Sequence, residues 1–312
     1  MKLSPARRAI YGMSLVCILI GLFELFQDVA LLIVPHPVFA SGTMWLVSGF
    51  LLVNLLCLLE VADRLTLKND LEIAREIQQA MLPRAAFHAP GLEAFGMTRP
   101  ANTVGGDFYD IMPLPDGRVM LALGDVAGKG SPASLLMALL LAMMRTLVDE
   151  GFEGAALADR LNLQIVKHSP RSRFITLFVA VLNPTTGEFV YVNAGQNPPL
   201  LRRTDRTYER LRAGGMALGM FEHATYTAGT AHLNLGDVVV MYSDGITEAE
   251  DGNGQPFDEA GLERILDGSG WASAKELAWA TFAAVEQHTE QRRLLDDLTI
   301  LAVRRLPPLP TL

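Results

Sequence analysis

The sequence lacks the residues that several common chemistries need. It has two cysteines, Cys17 and Cys57, both in apolar runs, which argues against a disulfide framework, a Cys/His metal cluster or a cysteine nucleophile. The six histidines form no HxH or HExxH group, and we interpret them as structural or surface residues. The net charge is -8, and no basic run follows the first few residues, so we expect no nucleic-acid partner.

Long apolar runs are present near the N-terminus. Residues 38–59 carry no charge and are long enough to cross a hydrocarbon core of about 30 Å. Residues 10–34 are also apolar but include Glu24 and Asp28. These two acids lie four residues apart, on one helix face near the far interface. They are either an end-of-helix pair that reaches water or a buried sensing or pairing site.

The flanking charges predict the orientation of these two spans. The connection between them has no Lys or Arg, whereas basic residues precede the first span and follow the second: Lys2, Arg7, Arg8, Arg64, Lys68 and Arg75. The positive-inside rule then predicts a multi-pass membrane protein with both ends in the cytoplasm. A signal-peptidase site at Val38-Phe39-Ala40 is an alternative. In either case the second span returns the chain to the cytoplasm.

Residues 60–82 have the pattern of a long helix. They contain no Gly or Pro, and Pro83 stops the run. Leu67, Leu71 and Ala74 recur at spacings of four and three, which predicts an amphipathic helix. A domain-capping helix is one interpretation. Because the segment continues directly from a membrane span, we favour a parallel coiled-coil linker in a homodimer.

From about residue 93 the sequence changes to short strands and turns. The predicted strands are 94–101, 105–114, 118–126, 173–183, 188–195, 237–245 and 297–305, bounded by PDG, NPTTG and NLGD turns. Predicted helices cover 132–148, with Ser131 as N-cap, and roughly 155–167 and 275–290. Tight turns join most adjacent strands. We therefore predict an α+β fold, a sandwich of two mainly antiparallel sheets with outer helices.

The aspartates of this region predict a metal site. If Pro115-Asp116-Gly117 is a hairpin loop, Asp107 lies directly across from Asp125. Opposed like charges about 5 Å apart are destabilising, and a divalent cation between them would reverse the sign. The hairpin register could also slip by one residue.

Further aspartates lie at other strand ends. Asp244 ends one apolar strand, and Asp296 and Asp297 begin another; if these strands are antiparallel neighbours, all the carboxylates gather at one end of the sandwich. Oxygen ligands favour Mn²⁺ or Mg²⁺ over Zn²⁺. By contrast, we interpret three other strand-end acids as turn formers: Asp116, Asp205 and Asp237.

Two phosphate-loop interpretations of residues 124–131, GDVAGKGS, are weaker. The segment lacks the G-x-x-x-x-G-K-[ST] spacing and has Gly130 where the hydroxyl belongs. GKGSPA matches G-x-G-x-x-A, but no parallel strand with an acidic end follows at the distance a dinucleotide site requires. We expect these glycines to let the backbone approach the metal and to start the helix at Pro132.

Several motifs together resemble one known family. IQQAMLP, VGGDFYD, GDVAGKGSPAS, NAGQNPPLL, YSDGITEA and DDLTILAVRR occur in the order seen in the bacterial SpoIIE/RsbU-like branch of metal-dependent protein phosphatases, the phosphatase 2C type. The similarity runs from about residue 72 to 304. One departure is Gln196, where the family pattern has histidine; this position is not among the expected metal ligands.

The resemblance implies an αββα sandwich that binds two Mn²⁺ or Mg²⁺ ions. Asp107 and Asp125 match the central ligands, with the Val126 carbonyl as a further oxygen. Asp244 and Asp296 match the later ligand positions, and Asp297 is a possible substitute for Asp296. We list the same four aspartates as catalytic: Asp107, Asp125, Asp244 and Asp296.

The implied activity is hydrolysis of phosphoserine or phosphothreonine by a metal-activated water, on a STAS-type anti-sigma-factor antagonist. The predicted organisation is a membrane hairpin (1–62), a helical linker (63–84), a phosphatase domain (85–306) and a tail (307–312). One alternative is a catalytically weak, phosphatase-like module that binds its partner. A remote alternative is a GGDEF-type nucleotide cyclase, suggested by TVGGDFYDI; the later aspartate motifs would then have no role.

Overall fold

A computed structural model describes residues 5–30, 39–170, 173–268 and 271–307. The chain divides into two compact units, Met1–Glu72 and Ile73–Leu312. Helix α1 spans Pro5–Ala30 in the first unit. Helix α2 spans Phe39–Met81, so it begins in the first unit and ends in the second.

Two helices of the first unit carry the apolar runs that the sequence shows. By length and composition, described helices long and apolar enough to cross a membrane are found at Ala6–Glu24, at Met44–Met81 and at Ser131–Asp149. Residues 31–38, the end of one predicted span and the start of the other, lie outside the described part. Within the first unit, Arg7 donates hydrogen bonds to Glu60 and Asp63. Glu24 is half-buried, whereas the side chain of Asp28 lies outside the description.

The second unit is built on two sheets. Its strands, in chain order, are β1 (Phe87–Ala89), β2 (Leu92–Arg99), β3 (Phe108–Pro113), β4 (Val119–Val126), β5 (Ile175–Leu182), β6 (Glu188–Ala194), β7 (Leu200–Arg202), β8 (Tyr208–Arg210), β9 (Gly214–Gly215), β10 (Gly229–His232), β11 (Val238–Tyr242) and β12 (Leu298–Arg305). The first sheet has the order β1-β2-β12-β11-β7-β8 and the second β10-β6-β5-β4-β3, with β9 beside β6. Every pairing is antiparallel except the one between β6 and β9.

Helices cover the sheets. They are α3 (Ser131–Asp149), α4 (Gly154–His168), α5 (Asp244–Thr247), α6 (Asp258–Asp267) and α7 (Ala274–His288). Helices α3 and α4 pack on the second sheet, and α7, with α6 against it, packs on the first. The predicted α+β sandwich of two mainly antiparallel sheets with outer helices is confirmed.

The strand sequences explain why both sheets are buried on both faces. In β11, Val239 and Met241 belong to the core between the sheets, while Val238 and Val240 belong to the core under α6 and α7. Successive strand residues point to opposite faces. A strand with apolar residues at every position is therefore covered on both sides, which accounts for the uninterrupted run VVVMY.

The predicted hairpin and its register are confirmed. The Leu114 amide donates to the Arg118 carbonyl at 2.8 Å, and Phe108 pairs with Gly124. One step further along the same register, Asp107 stands across from Asp125. The predicted neighbourhood of β11 and β12 is confirmed as well, since Tyr242 pairs with Ile300.

The prediction of Ser131 as an N-cap is wrong. Gly130 occupies the cap, with φ 73°, and no side chain caps the helix. Ser131 is the first helical residue, and its carbonyl accepts a hydrogen bond from the Ser134 hydroxyl. Glycine takes this left-handed conformation without steric cost, and Pro132 follows in the first turn, where its missing N–H is not needed.

Two of the three acids interpreted as turn formers bond only to residues of their own turn. Asp116 accepts from the Arg118 amide and Asp205 from the Thr207 amide. Asp237 is different: it is fully buried, and besides the Asn234 amide it binds the Arg203 guanidinium at 2.8 Å. The turn prediction is therefore incomplete for Asp237, which also anchors a buried ion pair.

Candidate metal centre

Five carboxylates come from four strand ends at one end of the sandwich. Asp107 precedes β3, Asp125 is the penultimate residue of β4, Asp244 follows β11, and Asp296 and Asp297 precede β12. The antiparallel pairing of β3 with β4 and of β11 with β12 brings these ends together. The acids that were predicted from the sequence as a site are thus neighbours in the fold.

Asp107 is the most deeply placed of the five. Its side chain is 3% exposed. Oδ2 is buried without a hydrogen-bond partner among the residues that the structure describes. Burial, then the charges of Asp125 and Asp297, raise the pKa of Asp107 well above its usual value. An unpaired buried carboxylate oxygen is costly unless a cation or a proton compensates it.

Two glycines let the backbone come close to the acids. A Cβ on Gly106 would lie 2.8 Å from Asp125 Oδ1 and 2.8 Å from the Val126 carbonyl oxygen, so both oxygens face this glycine. A Cβ on Gly105 would lie 2.1 Å from Asp297 Oδ2. Any side chain at either position would collide with the carboxylates, which explains why this loop is Gly-Gly.

Asp297 holds that loop in place. It is buried, and its Oδ2 accepts from the Gly106 amide at 2.8 Å while its Oδ1 accepts from the Ala101 amide at 2.8 Å. Both oxygens are therefore engaged by backbone donors. Asp296 is half-exposed, and its Oδ2 is bound at 2.8 Å by Lys129 Nζ.

The mutual repulsion of the acids is visible in their protonation. Burial, followed by the charge of Asp244, raises the pKa of Asp125 to about 6. Burial, followed by the charge of Asp296, raises the pKa of Asp244. Each of these groups is harder to ionise because it is buried and, in addition, because its neighbours are negative.

Lys129 supplies a positive charge at this cluster. Besides Asp296, its Nζ donates to the Leu295 carbonyl at 2.6 Å, and the hydrogen bond to Asp296 raises its pKa. From the sequence, only a backbone role is expected for GKG, and the contact made by the lysine side chain was not predicted. The feature of the sequence that could have indicated this contact is a lysine flanked by two glycines, Gly128 and Gly130.

Within the described ranges, no three His, Cys, Asp or Glu side chains are arranged as a ready-made ligand set. The donor chemistry still fits a hard divalent cation, because the cluster offers carboxylate oxygens and the Val126 carbonyl faces the same space. The unpartnered Asp107 Oδ2 is the observation that favours such a cation most.

Residues next to the acids fix the ends of the strands. The Ser243 hydroxyl donates to the Asp297 carbonyl and accepts from the Thr299 amide. Gln196, the departure noted in the sequence, is buried and donates from Nε2 to the Tyr242 carbonyl at 3.2 Å. It therefore supports the end of β11 just before Asp244, and its role here is structural.

A cleft of about 430 Å³ opens beside the cluster. Its lining includes Asp296, Leu295, Arg292, Arg293 and Glu248. Leu295 is 72% exposed, directly before Asp296. The cleft thus combines an apolar side chain and two guanidinium groups with further acids, Glu248, Glu250 and Asp251, next to Asp296.

Comparison with known proteins agrees with this geometry. Residues 115–306 match the model of the family described as Stage II sporulation protein E (SpoIIE). The phosphoserine phosphatase RsbU of Bacillus subtilis is 29% identical over 240 residues, covering 77% of this chain and 71% of RsbU. For three other curated relatives the match covers 25–43% of their own length.

Solved structures share the fold. The SiaA-PP2C domain of Pseudomonas aeruginosa superposes with a TM-score of 0.68 at 19% identity, covering 78% of this chain and 98% of that domain. The catalytic domain of the serine/threonine protein phosphatase PstP, solved with two manganese ions, gives a TM-score of 0.53 at 15% identity over 69% of this chain and 98% of that chain. Since the family model covers more than half of the sequence, the chain belongs to the SpoIIE family.

Proposed function

We propose that this protein is a metal-dependent protein serine/threonine phosphatase anchored in a membrane. The observation that carries the proposal is the buried, unpartnered Asp107 Oδ2, at the end of the sandwich where the strand ends also carry Asp125, Asp244, Asp296 and Asp297. The similarity to the phosphoserine phosphatase RsbU supports the reaction.

Asp107, Asp125, Asp244 and Asp296, with the Val126 carbonyl, would hold the ions. An all-oxygen set favours Mn²⁺ or Mg²⁺, and a pair of such ions supplies an activated water and charge stabilisation for phosphoryl transfer. Asp297, whose oxygens already accept backbone hydrogen bonds, would keep the Gly105–Gly106 loop in position.

The remaining groups would receive the substrate. Lys129 is half-exposed beside Asp296, where its charge can attract a phosphoryl group. The cleft with Arg292, Arg293 and Leu295 can take the polypeptide that flanks the phosphorylated residue. We infer that the substrate is a phosphorylated STAS-type anti-sigma-factor antagonist, as the family resemblance implies.

The first test is phosphate release. The full chain in detergent, with a phosphorylated STAS-type protein, should release phosphate with Mn²⁺ and not with a chelator. Asp244→Asn should lower turnover by at least about 100-fold, the size seen when a main electrostatic group of an active site is lost. The exposed turn residue Asp116 gives the matched control, since Asp116→Asn should leave turnover unchanged.

Two results of this test would count against the proposal. A chain that bound the phosphoprotein but released no phosphate would be a partner-binding module instead. Near-wild-type turnover of Asp244→Asn at saturating Mn²⁺ would remove Asp244 from the site.

Metal binding should depend on pH near 6. The folded, metal-free protein binds the Asp125 proton with a pKa of about 6, above the usual value for aspartate. Protonation of Asp125 therefore stabilises the metal-free protein as pH falls towards 4, and this stabilisation is lost as pH rises through 6.

Protons compete with the metal for the same carboxylate. Calorimetric titration should show Mn²⁺ affinity falling as the pH drops through 6, by about tenfold per pH unit for each proton that the metal displaces. Equal affinity at pH 5.5 and 7.5 would contradict the assignment, and Asp125→Asn should bind weakly with a shallower pH dependence.

We further propose the organisation that the sequence predicts: a membrane hairpin over 1–62, a linker over 63–84, the phosphatase domain over 85–306 and a tail over 307–312. The apolar helices of the first unit support the hairpin. The basic flanks support cytoplasmic termini at the bacterial inner membrane.

The orientation can be tested with reporters. Alkaline phosphatase, which is active only outside the cytoplasm, should be inactive when fused after Leu312 and active when inserted in the connection near residue 37. A fluorescent protein fused after Leu312 should fold and fluoresce. Alkaline phosphatase activity after Leu312 would place the catalytic region outside the cytoplasm.

We infer that the linker forms a homodimer. At the start of the second unit, Ile73 and Ile77 are 49% and 59% exposed and lie four residues apart, so they share one face of α2. An exposed pair of isoleucines on a helix fits the seam of a coiled coil.

Changing that face should change the oligomeric state. Ile73→Asp places a charge in the seam and should shift the full chain from dimer to monomer by light scattering in detergent. Gln79→Asp adds the same charge at an exposed position outside the face that carries Ile73 and Ile77, and it should leave the dimer intact. A monomeric wild-type chain, or an unaffected Ile73→Asp dimer, would exclude this seam.

A further inference from the structure

Gln78 makes a two-point contact with the loop that carries Asp107. It lies in the last turn of α2 and is 7% exposed. Its Nε2 donates to the Gly105 carbonyl at 2.9 Å, and its Oε1 accepts from the Gly105 amide at 3.2 Å. The side-chain amide thus satisfies both backbone polar groups of one buried glycine, as a neighbouring strand would.

The other side of the same loop faces the carboxylates. The Gly106 amide donates to Asp297 Oδ2 at 2.8 Å, and the space next to Gly106 is bounded by Asp125 Oδ1 and the Val126 carbonyl. The loop is therefore held between Gln78 on one side and the acids on the other. Asp107 follows directly, so a shift of Gly105 moves its backbone.

The last turn of α2 is itself fixed to the sheet. Arg145 on α3 donates to the Met81 carbonyl at 2.7 Å and to the buried Asp110 carboxylate at 2.7 Å. The Tyr109 hydroxyl donates to the Pro83 carbonyl at 2.6 Å. These bonds tie the helix end to β3, the strand that Asp107 precedes. Gln78 consequently projects from a firmly attached element.

We propose that Gln78 is a positioning residue for the metal centre: it sets the place of Gly105, and through it of Asp107, from the end of α2. The inference rests on the proposed function in that the carboxylates are taken as metal ligands. Its consequence is that the helix end and the metal ligands move together. A register change of α2 in its last turn would alter metal affinity without touching a ligand.

The chemistry of the side chain makes the role specific. An amide offers one donor and one acceptor on neighbouring atoms, which match the C=O and N–H of a single residue. Leucine has a similar size but offers neither. In Gln78→Leu both backbone groups of the buried Gly105 lose their partner, and each such loss favours movement of the loop towards water.

The test compares Gln78→Leu with Gln79→Leu in the full chain in detergent. Gln79 is the same residue type at the next position, but it is exposed. Hydrogen–deuterium exchange of residues 103–107 in the metal-free protein should be faster in Gln78→Leu. The Mn²⁺ dissociation constant, measured by the paramagnetic resonance of free Mn²⁺, should rise by about tenfold, as expected for two lost hydrogen bonds. Gln79→Leu should match the wild type in both measurements.

A second variant covers the case in which Gln78→Leu does not fold. Gln78→Met keeps an unbranched side chain of similar size but offers no donor and only a weak acceptor, so it should change both measurements in the same direction. An unchanged Mn²⁺ dissociation constant in a folded Gln78 variant would overturn the proposal, even if its melting temperature fell, because Gln78 would then be merely structural.

The outcomes also separate this inference from the proposed function. Neither measurement needs a substrate, so a wild-type chain that binds Mn²⁺ but releases no phosphate would count against the phosphatase activity alone. A wild-type chain that binds no Mn²⁺ would overturn both.

Discussion

The structure depends on one electrostatic constraint: five carboxylates share a partly buried space at one end of a sandwich. Burial and, after it, the mutual repulsion of the acids raise the pKa values of Asp107, Asp125 and Asp244. The protein opposes this repulsion in two ways. Backbone amides donate to Asp297, and Lys129 binds Asp296. Asp107 Oδ2 has neither kind of partner in the described part of the chain. The uncompensated charge is therefore concentrated where a divalent cation would have the largest effect.

Such a cluster can persist only on a rigid support, and the two sheets provide it. Because β11 and β12 are apolar on both faces, their ends are fixed by the core between the sheets and by the core under the helices. Both cores are close-packed, so that a change of even one methylene group in them would affect stability. The strand ends therefore have little freedom to spread apart. Each of the five acids lies within two residues of a strand end. Packing energy from the whole domain thus opposes repulsion at the site.

Much of this could be predicted from the sequence, because it follows from rules that act between neighbouring strands. The loop Pro115-Asp116-Gly117 fixes the register that sets Asp107 across from Asp125, and the apolar runs before Asp244 and after Asp297 predict adjacent strands. The sequence did not reveal contacts between a side chain and a distant backbone group. The bonds of Gln78 to Gly105 and of Ser243 to the Asp297 carbonyl leave no periodic pattern. The cap at Gly130 was missed for a related reason: serine is the usual N-cap, but here the backbone needs a left-handed residue one position earlier.

Helix α2 shows how one pattern can serve two purposes. The series Leu67, Leu71 and Ala74 continues at the same spacing to Gln78 and Met81. By its spacing alone, the whole series would be predicted to form one coiled-coil seam. In the second unit, however, Gln78 is buried against Gly105 and Met81 packs on the core, while Ile73 and Ile77 are exposed. The polar residue at the Gln78 position is thus explained by the backbone it binds. In its last turn the face of the helix that continues this series packs on the second unit, while Ile73 and Ile77 remain exposed. If the proposed dimer forms on these isoleucines, the helix is packed on both sides and cannot rotate to suit one side without disturbing the other, because packed interfaces have discrete arrangements. Through Gln78, such a rotation would then reach the loop that carries Asp107.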